Sequence, residues 1–222
     1  MNVERRGAHA AAVNEVGWLA RTNRLVTVSD DKTLRVWDLV ASECVDTLRL
    51  HIGVGAIGQL YTLAVAPNEK TVAVAGFGPG PDDHRVLIVD LQRRRALKPL
   101  VHHRDIITDV EFSDDGKWIL STSADRTACI WNARTLRLQH VLSGHADRIT
   151  DGCFSGSDRV VTASMDGSCR TWEVDTGRQV DSFAGAGTHE LTAVAYDQHA
   201  SRTAVASGNQ SIVIFDANGK PA

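Results

Sequence analysis

No hydrophobic run in this sequence is long enough to cross a bilayer. The longest stretch without Asp, Glu, Lys or Arg runs from His51 to Asn68 and is interrupted by Gly53, Gly55 and Gly58, which argues against a membrane helix. Arg5 and Arg6 are followed by a weakly apolar segment broken by His9 and Glu15, too poor for a signal-peptide core. Cysteine is scarce: Cys44, Cys129, Cys153 and Cys169 fit neither a zinc nor a redox spacing. Scattered thiols suit small buried hydrophobes in a reducing compartment, so a soluble cytoplasmic protein is expected. Net charge is −3, without the basic excess that marks a nucleic-acid binder. The one basic cluster, Arg93 to Arg95, has no aromatics interleaved and reads as a solvated turn. The glycine-rich stretch from Gly76 to Gly80 is not followed by Gly-Lys-Ser/Thr, so it is no phosphate loop. His102 and His103, with His51 and His84 elsewhere, have no carboxylate or thiol at ligand spacing, and neither metal nor cofactor is expected. No window holds a helical period.

What the sequence does contain is a repeat. Val101 to Asn132 carries it whole: His103, apolar Ile107, Val110 and Phe112, a Ser-Asp-Asp-Gly turn, an alternating run, Ser123 and Asp125, then Trp131. Four further copies align on the histidine and the final aromatic. Copy one has His9, Val13, Val16, Trp18, Ser29, Asp31 and Trp37; copy four has His145, Ile149, Phe154, Ser164, Asp166 and Trp172. Copy two keeps Leu63, Val65, Asp83 and Asp90 with Val89 at the tryptophan position, and copy five has Gly187, Leu191, Val194, Tyr196, Ser207, Asn209 and Phe215. The closing anchors stand at 37, 89, 131, 172 and 215, and the one long step comes from loop insertions in copy two. Period-two alternation predicts strands such as Glu15 to Ala20, Arg24 to Ser29 and Leu34 to Leu39, with turns at Ser29–Thr33, Asp115–Gly116, Ser123–Thr127 and Asp175–Gly177.

Gly144–His145 and Trp37–Asp38, recurring in phase with Trp131–Asn132, Trp172–Glu173, Val89–Asp90 and Phe215–Asp216, resemble the WD-repeat family. The resemblance covers nearly the whole chain. It implies an all-β, WD40-type β-propeller of five four-stranded blades in one domain, with repeats near 7–50, 51–101, 102–142, 143–184 and 185–222. Residues 2–6 would supply the last strand of the fifth blade and close the ring. Seven blades are commoner in this family, so a fragment of a larger propeller is the alternative, with exposed edges and an oligomeric state left open.

Ser, His and Asp occur together in copy three, as in a hydrolase triad, but they recur as Ser29, His9, Asp31 and as Ser164, His145, Asp166. A catalytic site is needed once, whereas a structural device is needed in every blade. The resemblance implies a buried relay in which His9, Asp31 and Trp37, His103, Asp125 and Trp131, and His145, Asp166 and Trp172 are joined through a hydroxyl. That hydroxyl is either Ser29, Ser123 and Ser164, or the residue two earlier, Thr27, Ser121 and Thr162.

By the same resemblance the function is that of a non-enzymatic interaction scaffold for proteins or peptides, with no nucleic acid or membrane partner. The candidate contacts sit near loop ends of the entry face: Asn14, Asp30, Phe77, Asp82, Arg104, Asp105, Asp147 and Arg148. Phe77, a bulky apolar residue in a Gly-Pro loop, stands out. Copy two is also similar to a blade found in bacterial proteins that fuse WD repeats to caspase-like domains, which implies the sensing part of a bacterial signalling system. The competing reading is a small-ligand or enzymatic propeller using its central channel. That reading needs polar residues at non-equivalent repeat positions, and none is visible at the channel mouth.

Overall fold

The structure, a computed structural model, describes residues 7–50, 58–76, 83–184, 189–216 and 220. It divides into two compact units, Met1–Val101 and His102–Ala222. Nearly all regular structure is strand, in antiparallel sheets whose neighbours follow chain order. The one helical element among the described residues is a single 3-10 turn, Ala20–Thr22. No helix among the described residues is long and apolar enough to cross a membrane.

In the first unit, sheet 1 comprises β1 (Val13–Leu19), β2 (Arg24–Ser29), β3 (Thr33–Asp38) and β4 (Glu43–Arg49). Sheet 2 comprises β5 (Leu60–Val65), β6 (Thr71–Gly76), β7 (Arg85–Asp90), β8 (Arg95–Ala96) and β9 (Leu100–Val101). Both β8 and β9 pair with β7. They are two pieces of one outer strand, interrupted where Pro99 has no N–H to give to the ladder. The second unit holds sheet 3, with β10 (Ile107–Phe112), β11 (Trp118–Ser123), β12 (Thr127–Asn132) and β13 (Arg137–Ser143). Sheet 4 follows with β14 (Ile149–Ser155), β15 (Arg159–Ser164), β16 (Ser168–Glu173) and β17 (Gln179–Ala184). Sheet 5 has β18 (Leu191–Asp197), β19 (Arg202–Ser207) and β20 (Ile212–Phe215). Sheet 5 therefore shows three strands instead of four among the described residues, and the segment 2–6 expected to complete it lies outside them.

Two irregularities recur with the repeat. The first strand of every sheet carries a bulge at its second residue: Asn14, Tyr61, Thr108, Thr150 and Thr192. An extra residue there turns a side chain out of the ladder. Asn14 uses this to donate to the Leu60 carbonyl of the next sheet at 2.8 Å, Thr108 to that of Ile149 at 2.8 Å, and Thr150 to that of Leu191 at 2.9 Å. Carboxylates reach the same way: Glu15 accepts the Leu63 N–H at 2.6 Å, Glu111 that of Phe154 at 2.7 Å, and Asp151 that of Val194 at 2.7 Å. Each first strand is the open edge of its sheet, so these bonds satisfy backbone groups that the ladder leaves unpaired.

The second irregularity is a left-handed residue in the turn before the third strand: Lys32 at φ 69°, Arg126 at 71°, Gly167 at 81° and Gln210 at 68°. Three of these are not glycine, so the conformation is mildly unfavourable by itself. The preceding Asp31, Asp125, Asp166 or Asn209 holds the turn by accepting from the residue two positions on.

Apolar residues on facing sheets make the cores. In the first unit Val26, Val36 and Leu48 of sheet 1 pack with Leu63, Val72 and Val89 of sheet 2. In the second, Leu120, Ile130 and Leu142 meet Phe154, Val160 and Trp172. Close approach demands a missing side chain at Gly17, where a Cβ would stand 2.6 Å from both Leu63 and Val65.

Candidate functional site

Three of the sheets contain the same four-part relay. In sheet 1, His9 Nδ1 lies 2.8 Å from Asp31 Oδ2, His9 Nε2 lies 2.6 Å from Thr27 Oγ1, and Trp37 Nε1 donates to that hydroxyl oxygen at 2.7 Å. In sheet 3 the corresponding distances are 3.0 Å (His103 to Asp125), 2.8 Å (His103 to Ser121) and 2.9 Å (Trp131 to Ser121). In sheet 4 they are 2.9 Å (His145 to Asp166), 2.8 Å (His145 to Thr162) and 2.9 Å (Trp172 to Thr162). The hydroxyl is thus Thr27, Ser121 or Thr162. Ser29, Ser123 and Ser164 are not in the relay: their Oγ atoms accept the N–H of Asp31, Asp125 and Asp166 and donate to the carbonyls of Ala11, Asp105 and Asp147. The reason is strand geometry. Ile119 and Val160 lie opposite Trp131 and Trp172, so Ser121 and Thr162, two residues on, share the indole's face, and the later serine is beyond its reach.

A further hydroxyl, absent from the sequence reading, completes each turn. Thr33, Thr127 and Ser168 donate to Asp31, Asp125 and Asp166 at 2.5, 2.6 and 2.7 Å. The spacing Asp-x-Thr/Ser, present in all three copies, was its signal.

The direction of the relay follows from its ends. An indole nitrogen only donates and an ionised carboxylate only accepts. The hydroxyl oxygen therefore receives the indole hydrogen and faces Nε2, while Nδ1–H points at the aspartate carboxylate. Burial works to raise the carboxyl of Asp31, but hydrogen bonds from Thr33, the Ala10 N–H and His9 outweigh it and hold the group well below the usual range. Asp125 and Asp166 are held low in the same way against the same burial, by His103, Thr127 and the Arg104 N–H and by Ser168, the Ala146 N–H and His145. Burial also lowers the His145 imidazole, against the pull of Asp166. Ser123 has no base beside it, and Ser121, which does have His103 beside it, is fully buried with its oxygen receiving the Trp131 indole hydrogen, so it is not placed to attack a substrate.

The proposed contact residues differ in what they are free to do. Asn14 spends its amide on Asp30 Oδ1 and the Leu60 carbonyl, both at 2.8 Å, so Asn14 and Asp30 hold each other. Arg104, Asp105, Asp147 and Arg148 are all exposed and stand in equivalent loops, just after His103 and His145. Asp105 and Asp147 accept the N–H of Ile106 and Arg148 at 2.7 Å. The guanidinium groups of Arg104 and Arg148 have no partner among the described residues. Several other arginines do have a partner: Arg24 pairs with Asp38, Arg85 with Asp83, Arg93 with Asp90 and Arg94 with Asp46. Two members of the basic cluster are thereby neutralised locally. Phe77 and Asp82 lie outside the described residues. Among the described residues no three His, Cys, Asp or Glu side chains are grouped to hold a metal ion.

The family model for the WD domain, G-beta repeat, matches residues 3–38, 94–132 and 136–173. Each matched segment contains one complete relay. The chain is 27% identical over 202 residues to apoptotic protease-activating factor 1 of Mus musculus, covering 77% of this chain and 16% of that protein. It is 24% identical over 178 residues to SIR4-interacting protein SIF2 of Saccharomyces cerevisiae, covering 75% and 32%. Over 226 residues it is 26% identical to transducin beta-like protein 3 of Bos taurus, covering 96% and 27%. The chain spans a third or less of the length of each of these relatives.

Proposed function

The chain belongs to the WD domain, G-beta repeat family, and from that premise we propose that it is a non-enzymatic scaffold holding a protein or peptide on the loops that follow His103 and His145. The observation that carries the proposal is the pair Arg104 and Arg148: exposed, in equivalent loops of adjacent sheets, and without a carboxylate partner among the described residues. Unpaired arginines on a rigid frame are the kind of residue on which binding energy concentrates. The relays below fix those loops, since the Arg104 N–H itself donates to Asp125 at 2.9 Å. In this reading residues 1–222 form one domain of five repeats working in a reducing, cytoplasmic setting, which the free Cys44, Cys129, Cys153 and Cys169 suit. A relative named as SIR4-interacting and another named as protease-activating support an assembly role. The finer form of the proposal is the sensing part of a signalling system, of bacterial origin.

The test is affinity capture from an extract with the wild-type chain and with an Arg104→Ala/Arg148→Ala variant of unchanged melting temperature. Recovery of the partner is expected to fall at least roughly tenfold. A variant that retains every partner removes this face from consideration.

A further inference from the structure

Where sheet 3 packs on sheet 4, one slot is filled by Leu120, Ile130, Phe154, Val160 and Trp172, with Trp118 packed against them. The equivalent slot between sheets 1 and 2 is also apolar, with Val26, Val36, Val65, Val72 and Val89. One repeat later, between sheets 4 and 5, the strand registers place Val161, Thr171, Tyr196, Thr203 and Phe215 at these positions, and Arg159 in place of Trp118, as Arg24 stands in sheet 1. Smaller and hydroxylated residues leave a cleft of about 240 Å³. Thr171 and Thr203 are only 8% and 7% exposed, line this cleft, and have no hydrogen-bond partner among the described residues. Two hydroxyls on largely buried residues that face one opening, with no partner among the described residues, point to something polar that enters it. Thr171 and Thr203 are exceptions to the repeat, and a polar exception confined to one slot marks a site where a device recurring in several sheets marks structure.

The lining gives the ligand's chemistry. Tyr196 and Phe183 form aromatic walls, Phe183 being held against Phe215 with ring centroids 4.4 Å apart. Asp158, Asp181 and Asp216 stand around the opening with Arg159 as the one opposing charge. We propose that this cleft binds the side chain of an arginine presented by a peptide or protein partner. A guanidinium offers several planar N–H donors to the two threonine hydroxyls and to Asp181, while its plane stacks on an aromatic ring. An anion would meet the carboxylates of Asp158 and Asp181, and a neutral polyol would offer Asp181 no opposite charge. The cleft lies at the far end of β14 from Arg148, so it stands independently of the entry-face reading.

The test is an NMR titration of the full chain with acetyl-Gly-Arg-Gly-amide, and with the same peptide carrying citrulline or glutamate in place of arginine. The arginine peptide is expected to shift the Thr171 and Thr203 amide signals saturably, with at least tenfold weaker binding of the citrulline peptide. Asp181→Asn should weaken the arginine peptide about tenfold, and Arg159→Ala, which removes the competing charge, should strengthen it. Thr171→Ile with Thr203→Val restores the apolar filling of the other slots and should abolish binding while raising the melting temperature. Arg104→Ala/Arg148→Ala should leave the titration unchanged. No saturable shift with the arginine peptide, equal binding of citrulline, preference for glutamate, or binding that survives refilling overturns the proposal.

Discussion

Trp172 donates its indole hydrogen to Thr162 at 2.9 Å, and where the indole is missing its hydroxyl is missing too. Sheet 2 has Val89 and, in the position that matches Thr162, Val74; sheet 5 has Phe215 and Val205. The two positions change together because a buried hydroxyl with no partner costs more than an isosteric methyl. Trp131→Ala should therefore cost roughly 3–5 kcal/mol through its cavity, read by denaturant unfolding. Trp131→Phe and Ser121→Ala should be non-additive by about 1 kcal/mol in a double-mutant cycle. Additive effects would separate the indole from the hydroxyl.

Stability should fall at both ends of the pH scale for different reasons. Asp31, Asp125 and Asp166 have carboxyls held below the usual range, so their contribution is full above about pH 4 and is lost as pH falls through the lowered value. Glu111 is displaced the other way. Burial raises it to about 7, the Phe154 N–H opposing, with Asp151 and Asp114 adding to the rise. The folded state then holds that proton more tightly than the unfolded chain, so stability declines as pH rises from about 4.5 to about 7 and levels off above. Glu111→Gln should reduce the slope of the upper limb, leaving the part due to Asp151, whose carboxyl burial also raises, and leave the acid limb in place. An upper limb that keeps its slope in the variant would assign it to another group.

Thiol reactivity should divide the cysteines one against three. Cys129, Cys153 and Cys169 are buried, and burial raises all three thiols, Cys169 to about 12. Cys44 is half-buried. An aromatic disulfide reagent should titrate one thiol quickly in the native protein and the remainder only on unfolding.

Gly17→Ala should force sheets 1 and 2 apart, because the new methyl would stand 2.6 Å from Leu63 and Val65. The expected cost is about 1–3 kcal/mol, seen as a lower melting temperature. Restoring space with Leu63→Ala in the same chain should recover part of the loss.

The sequence carried the repeat and therefore most of the strands, since the histidine, the turn aspartate and the tryptophan recur in phase. It left the relay hydroxyl undecided because Ser29 and Thr27 both precede Asp31 closely, and only cross-strand register separates them. The comparison that decides is visible afterwards in the letters: Val74 and Val205 track the loss of tryptophan, whereas Ser207 persists beside Phe215 without one. Asn14 and Asp30 read as surface contacts because nothing in a linear sequence shows that a bulge turns Asn14 toward Leu60. The cleft between sheets 4 and 5 was illegible for the same reason. Thr171 and Thr203 are far apart in the chain, and their departure from the repeat appears only when two sheets are superposed strand by strand.

The first-strand side chains that reach from one sheet to the first-strand backbone of the next belong to the earlier sheet: Asn14 and Glu15 serve Leu60 and Leu63, and Thr150 and Asp151 serve Leu191 and Val194. Synthesis runs in the same direction. For sheets 2, 4 and 5 the donor and acceptor that receive the leading strand are therefore made before that strand, an order of synthesis that favours its native pairing over mispairing.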